Sequence, residues 1–318
     1  MKIFYLIIGL LFLSFQSYSQ ETLVEKNIIP FDVNSLIIKN LGPIINTSGI
    51  EYNCNMDSDN KLITFVSNRK GSKEYGNEPS HDIWQSDIKY ENGKMTFGEP
   101  VNLLNINTET NEGGCSFTDS SVYISYCNLM IGKGRCDIYR MSLKKGRFSL
   151  ENLDNPINTE HFESMPSVTR DETKLFYTFQ RMVRGSDMDI LYSYKNAHGQ
   201  WTYPKRLIFN TDGNETTPFI LADQVTLIFA SDKIKPNYGG NDLYITRFDP
   251  DEWQWTKPQN LGKKINTKWD ELTPSTNSKG DILFFSSNRK DIDGYQGDLD
   301  LYMVELPASL LKLNKSNK

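Results

Sequence analysis

The chain has 318 residues, 12% of them aromatic, and a formal net charge of −5. Aromatic content of that order with mixed charge excludes a disordered chain, and so small a negative charge excludes general nucleic-acid binding. Four cysteines, an even number, permit disulfides in an oxidising compartment and leave three pairings open.

Met1-Lys2 is followed by an apolar run from Ile3 to about Phe15, then by small and polar residues. This is the layout of a secretory signal peptide, with cleavage expected after Ser19. The run falls short of the ~20 apolar residues that span a bilayer. No cysteine lies near the cut, since Cys54 is the first, so no lipid anchor is expected. The expectation is a periplasmic or secreted protein whose mature form has no transmembrane segment. Residues 20–34 read as a lead into the first repeat.

From there one motif returns five times: Asn-Thr, three variable residues, then Glu. The copies are Asn46-Thr47 with Glu51, Asn107-Thr108 with Glu112, Asn158-Thr159 with Glu163, Asn210-Thr211 with Glu215, and Asn266-Thr267 with Glu271. A polar turn and a β-branched or aromatic run follow each glutamate, as in Leu62-Ile63-Thr64-Phe65-Val66. A loop of variable length then leads to a strand opened by aspartate, at Asp82, Asp137, Asp189, Asp242 and Asp300. A last short strand ends in leucine at Leu103, Leu153, Leu207 and Leu261. Four short strands per period with no amphipathic helix predict the blade of a propeller. The fifth period ends at Glu305-Leu306 without its last strand, and Ser35–Leu41 aligns with that missing piece. The predicted fold is all-β, a five-bladed propeller over 35–306 closed by an N-terminal strand, with 307–318 as a tail.

Phe284-Phe285-Ser286-Ser287-Asn288-Arg289 and Gly294-Tyr295-Gln296-Gly297-Asp298-Leu299-Asp300-Leu301-Tyr302 resemble the WD40-like repeat of TolB-like propellers. The resemblance covers nearly the whole mature chain and implies a periplasmic or outer-membrane binding module. Members are often fused to a peptidoglycan-binding OmpA-like domain; this sequence contains no such segment, so cell-wall anchoring is not expected.

Alternation of connections in a meander places the long loops 68–81, 128–136, 180–188, 231–241 and 287–299 on the face that also carries the inter-blade loops. Short turns such as Asn92-Gly93 lie opposite. Binding residues concentrate on long loops of a rigid scaffold, so the loop-rich face is the candidate. The five glutamates and five aspartates recur once per blade, as packing requires, and are expected to accept hydrogen bonds at turns. The Asn-Thr pairs read as turn formers. Residues that break the repeat, His161, Trp269 and Asp270, and the loop cations Arg69, Arg181 and Arg289 are the binding candidates. The three histidines, His81, His161 and His198, lack metal-ligand spacing, and no nucleophile elbow or phosphate loop is present, so neither metal nor cofactor is expected. The first functional reading is a non-catalytic, monomeric module engaging an envelope protein or glycan, with no nucleic acid. The alternative is a glycoside hydrolase or lyase with acids at the channel mouth.

Cys127 ends the second strand of blade 2 and Cys136 precedes the aspartate of its third, so the two face one another within disulfide reach. Cys54 and Cys115 occupy equivalent positions in neighbouring blades and could meet only if the inner strands converge.

Overall fold

The computed structural model describes residues 23–312, apart from 30, 58, 128–131 and 145–146. The expected signal peptide, 1–19, and the last residues of the tail, 313–318, lie outside the described residues.

Five antiparallel blades follow one another along the chain, with no α-helix among the described residues. Their inner strands are Glu51–Met56, Asn111–Phe117, Phe162–Val168, Glu215–Ile220 and Glu271–Thr276. The second strands are Leu62–Ser67, Ser121–Cys127, Lys174–Gln180, Thr226–Ser231 and Ile282–Ser287. The third are Asp82–Glu91, Asp137–Lys144, Met188–Tyr194, Asp242–Asp249 and Asp300–Glu305.

The outer strands depart from the continuous runs read in the sequence. In blade 2 the strand is unbroken, Arg147–Asn152. In blades 1 and 4 it is split, into Lys94–Phe97 with Val101–Asn102 and into Gln254–Trp255 with Gln259–Asn260. Blade 3 keeps only Lys205–Arg206. Pro100, Pro204 and Pro258 sit at the interruptions, and blade 2 has none. Proline has no N–H for the ladder and is tolerated only at such an edge.

The outer strand of blade 5 comes from the start of the described chain: Ile38–Asn40 pairs antiparallel with Asp300–Glu305, Ile38 opposite Val304. The segment before it, read as an unassigned lead, lies along the edge of blade 4. Val24 bridges Thr256, with Val24 N–H donating to Trp255 O at 3.0 Å and Lys257 N–H to Val24 O at 2.8 Å. Ile28 and Leu36 are buried there. At the other end Leu310 is buried in the same cluster, and its N–H donates to Gly280 O. Ile28, Ile29, Phe31, Val33 and Leu36 at the start, and Leu310 and Leu311 at the end, therefore pack on the propeller.

Burial follows the blade period. Each of five apolar clusters sits between two adjacent blades, because neighbouring strand residues point to opposite faces of a blade. Phe284 packs against blade 1 while Phe285 packs against blade 4.

The inner strands bulge just after the glutamate in all five blades, and in four of them the residue two positions on, Asn53, Met165, Thr217 or Thr273, is at positive φ. The backbone N–H groups freed there find hydroxyls next door. Asn53 N–H donates to Thr273 Oγ1 at 3.1 Å, Thr273 N–H to Thr217 Oγ1 at 3.1 Å, and Met165 N–H to Ser125 Oγ at 3.0 Å. These groups narrow the axis to a cavity of about 10 Å³, the room of one water molecule. Further along the inner strands one of about 90 Å³ opens between Asn55, Ser116, Ser167, Phe219 and Thr276.

The repeated motif is the joint between blades. Thr47 N–H and Oγ1 donate to the two oxygens of Glu51 at 2.8 and 2.7 Å, and the same pair of contacts recurs from Thr159, Thr211 and Thr267. All five glutamates are fully buried. The asparagines do more than form turns. Each brackets one residue of the preceding blade's third strand, accepting from its N–H and donating to its C=O: Asn46 on Leu301, Asn107 on Ile83, Asn158 on Ile138, Asn210 on Ile190 and Asn266 on Leu243. Asn266→Ala would leave a buried N–H and C=O without partners, each at about 1–3 kcal/mol. The expected result is a lower urea midpoint, about 2–3 kcal/mol of stability lost, with the m-value unchanged.

Candidate functional site

The strand-opening aspartates knit loops to outer strands. Asp300 accepts from Gln296 and Gly297 N–H and from Asn40 Nδ2; Asp137 does so from Lys133, Gly134 and Asn152. Asp82 and Asp242 are held by Asn102 and Asn260. Blade 3 differs. Arg206 occupies the asparagine position and grips Asp189 through Nε and a terminal nitrogen, both at 2.8 Å.

Of the six binding candidates, Arg69 and Arg289 are withdrawn from the loop-rich face. The Arg69 guanidinium is buried, donates to Ile44 O and Ile45 O, and lies 4.8 Å from the Phe65 ring centre and 5.3 Å from that of Trp84. Arg289 is buried too, bonded to Ile265 O and to Asp291, and 5.8 Å from the Tyr302 ring. Asp270 is committed as well, accepting from Asn241 N–H and Nδ2 and from Asn288 Nδ2. Trp269 is half-buried under the Lys268 ammonium, 4.5 Å from its ring centre. His161 and Arg181 are the two that come together.

They line a cavity of about 590 Å³ in blade 3 with Phe179, Leu191, Pro204 and the Asp189–Arg206 pair. Its origin is legible column by column. Where blades 1, 4 and 5 carry Ser67, Ser231 and Ser287 opposite the glutamate, blade 3 carries Phe179. Where the others place Trp84, Tyr139, Tyr244 and Tyr302 on the third strand, blade 3 places Leu191. The serine hydroxyl that receives the backbone N–H of Arg69 and Arg289, and the ring on which each guanidinium lies, are both missing. Arg181, in the same column, is exposed, and among the described residues its guanidinium makes no hydrogen bond or ion pair.

A second cavity, of about 780 Å³, opens across blades 1 to 3 on the other side of the inter-blade loop Thr159–Phe162. Tyr52, His81, Glu109, Arg135, Phe162 and the Cys127–Cys136 disulfide line it. The two cysteines are directly opposed, one step beyond the Tyr126–Asp137 ladder pair, with Cα atoms 3.9 Å apart. Cys54 and Cys115 are free thiols, buried in successive inter-blade clusters. Tyr52 Oη lies 3.1 Å from His81 Nδ1, and burial holds that imidazole below its ordinary pKa despite the adjacent Asp82. Beneath this cavity Glu112 has lost the serine partner to Tyr126. Its Oε1 accepts from Thr108 N–H and Oγ1, and its Oε2 is buried with no partner among the described residues. Burial pushes its carboxyl up to about 8, against the Thr108 hydrogen bonds.

Sequence reasoning missed His81, Arg135, Glu109 and Tyr52 because each lies in a loop or column with no distinguishing type. Phe179, Leu191 and Arg206 carried a signal, since each breaks a column that is constant in at least three other blades.

No family model and no curated protein matches the chain. Solved structures similar to it include TolB from Acinetobacter baumannii, at 14% identity and TM-score 0.46. The likeness covers 84% of this chain, which spans 57% of that one. A thermostable family-43 glycoside hydrolase is similar over 83% of this chain and 91% of its own, at 9% identity and TM-score 0.48. A luciferin-regenerating enzyme is similar over 87% and 99%, at 9% identity and TM-score 0.46. The strand order by itself makes the chain a five-bladed β-propeller, and the solved structures similar to it include both TolB and glycoside hydrolases.

Proposed function

We propose that this propeller is a binding module of the periplasm or cell surface, engaging an envelope protein or glycan through its loop-rich face. One observation supports this most. The repeated carboxylates are hydrogen-bonded inside the joints between blades, whereas side chains outside the repeat gather around two cavities on one face. Cavities of several hundred Å³ with apolar walls and a few polar groups suit ligand recognition. The apolar run Ile3 to Phe15 and the Cys127–Cys136 bridge support an oxidising location.

The test is capture of envelope components by the purified protein, run beside a glycan array. Wild type should retain a defined component, and Arg135→Glu combined with Arg181→Glu should weaken capture by about tenfold or more. Tyr90→Lys, on an exposed strand position away from both cavities, should leave it unchanged. Release of reducing ends from array glycans would transfer the protein to the hydrolase reading, and no capture by wild type would end the binding reading.

A further inference from the structure

We propose that the blade 3 cavity receives a carboxylate borne on an apolar peptide segment of a protein partner, with Arg181 as the group that pairs with it. The inference rests on the binding-module reading and names the chemistry of one of its two cavities.

Arg181 stands where Arg69 and Arg289 stand in their own blades, yet it is neither buried nor bonded to carbonyls. The changes to Phe179 and Leu191 remove what would hold it inward and leave an apolar wall where an aromatic ring would otherwise fill the space. A free guanidinium on a concave apolar wall is suited to a carboxylate, which it can take through two parallel hydrogen bonds. The local charge limits the choice of anion. Arg206 is already neutralised by Asp189, and Asp187 adds a negative charge to the same lining. These four charges, Arg181 and Arg206 against Asp187 and Asp189, sum to zero, so a singly charged carboxylate leaves one excess negative charge where a phosphate dianion would leave two.

The rim favours a protein over a glycan. Met182 and Val183, at the apex of the same loop, are 48% and 65% exposed. Met182 N–H reaches back to His161 Nδ1 at 3.5 Å, and the His161 ring meets Phe179 edge-on at 5.6 Å. Flexible thioether and aliphatic side chains adapt to apolar side chains of a partner but offer nothing to sugar hydroxyls.

The experiment screens the mature protein against bead-displayed random octapeptides, one set ending in a free carboxylate and the other in an amide. Wild type is expected to enrich sequences in which an acid adjoins an apolar residue. Enrichment confined to the free-acid set assigns the carboxylate to a chain terminus, and enrichment in both sets assigns it to Asp or Glu. Arg181→Gln should lower retention of the enriched peptides about tenfold or more, Arg181→Lys should restore part of it, and neither should shift the melting temperature. The proposal is overturned by failure to enrich any peptide, by enrichment from the amide set of sequences lacking Asp and Glu, by retention that Arg181→Gln does not change, or by binding of uronic-acid glycans alone. Capture of an envelope protein equally by wild type and Arg181→Gln would remove this site and leave the binding-module reading standing. Absence of any capture by wild type would remove that reading itself.

Discussion

Gly297→Ala should cost the protein about 3–5 kcal/mol. A Cβ at Gly297 would lie 2.2 Å from Gly49 O and 2.5 Å from Thr47 O, both backbone atoms of the inter-blade loop that enters blade 1. Those carbonyls cannot retreat without breaking the contacts that join blade 5 to blade 1. Asp298 N–H donates to Gly49 O at 3.2 Å, and Glu51 N–H donates to Leu299 O at 2.8 Å. The same crowding recurs at Gly134, 2.0 Å from His161 O, and at Gly239, 2.3 Å from Thr267 O. Chemical denaturation compares Gly297→Ala with Gly98→Ala, whose Cβ would make an ordinary 3.6 Å contact with Asp87. Gly98→Ala should stay within about 1 kcal/mol of wild type. Equal stability of the two variants would show that the seam yields without loss.

Stability should fall as pH rises from about 5 to 8, and Glu112→Gln should remove the largest single share of that fall. In the folded chain burial raises the Glu112 carboxyl to about 8, while in the unfolded chain it titrates at its ordinary value. Below both values the group is protonated in either state and carries no penalty. Between them the unfolded chain releases its proton and the folded chain holds it, so stability declines by up to about 1.4 kcal/mol per pH unit. Above about 8 the decline stops. Glu163 and Glu271, each raised by burial to about 7, add declines of the same sign over a narrower window. Glutamine keeps an oxygen for Thr108 and cannot ionise. The variant should therefore match wild type within about 1 kcal/mol at pH 5 and exceed it by about 2–4 kcal/mol at pH 8. Melting curves across that range decide the matter. A wild-type profile that is flat from pH 5 to 8, with no gain from Glu112→Gln, would mean that a hydrated, ionised carboxylate sits there.

The blades could be counted in the sequence because their chemistry is local. Thr47 and Glu51 bond across a few residues of one loop, so the motif must repeat wherever that joint is built. The outer strand of blade 5 was also visible, since Ile38–Asn40 keeps the asparagine that ties Asp300. The candidate site was only half visible, for a physical reason. Arg69, Arg181 and Arg289 are the same residue in the same column, and what separates them lies partly two residues earlier, at Ser67, Phe179 and Ser287, and partly on another strand, at Trp84, Leu191 and Tyr302. Whether an arginine is sheathed or exposed depends in part on that cross-strand neighbour, which a motif read along one strand does not include. The packing of Val24 and Ile28 escaped notice because a single bridging residue at a blade edge leaves no alternation to read.

The outer strand of blade 5 also sets an order in time. Lys39 and Glu305, paired across that edge, are separated by 266 positions in the chain. Closing a loop of that length is entropically less severe than it sounds, since each doubling of length adds only about 0.6 kcal/mol. The larger consequence is for synthesis. Ile38–Asn40 is among the first segments of the blades to be made, and its partner Asp300–Glu305 is among the last. Blades 1 to 4 can complete their own hairpins as they emerge, while that first strand waits unpaired until nearly the whole chain exists.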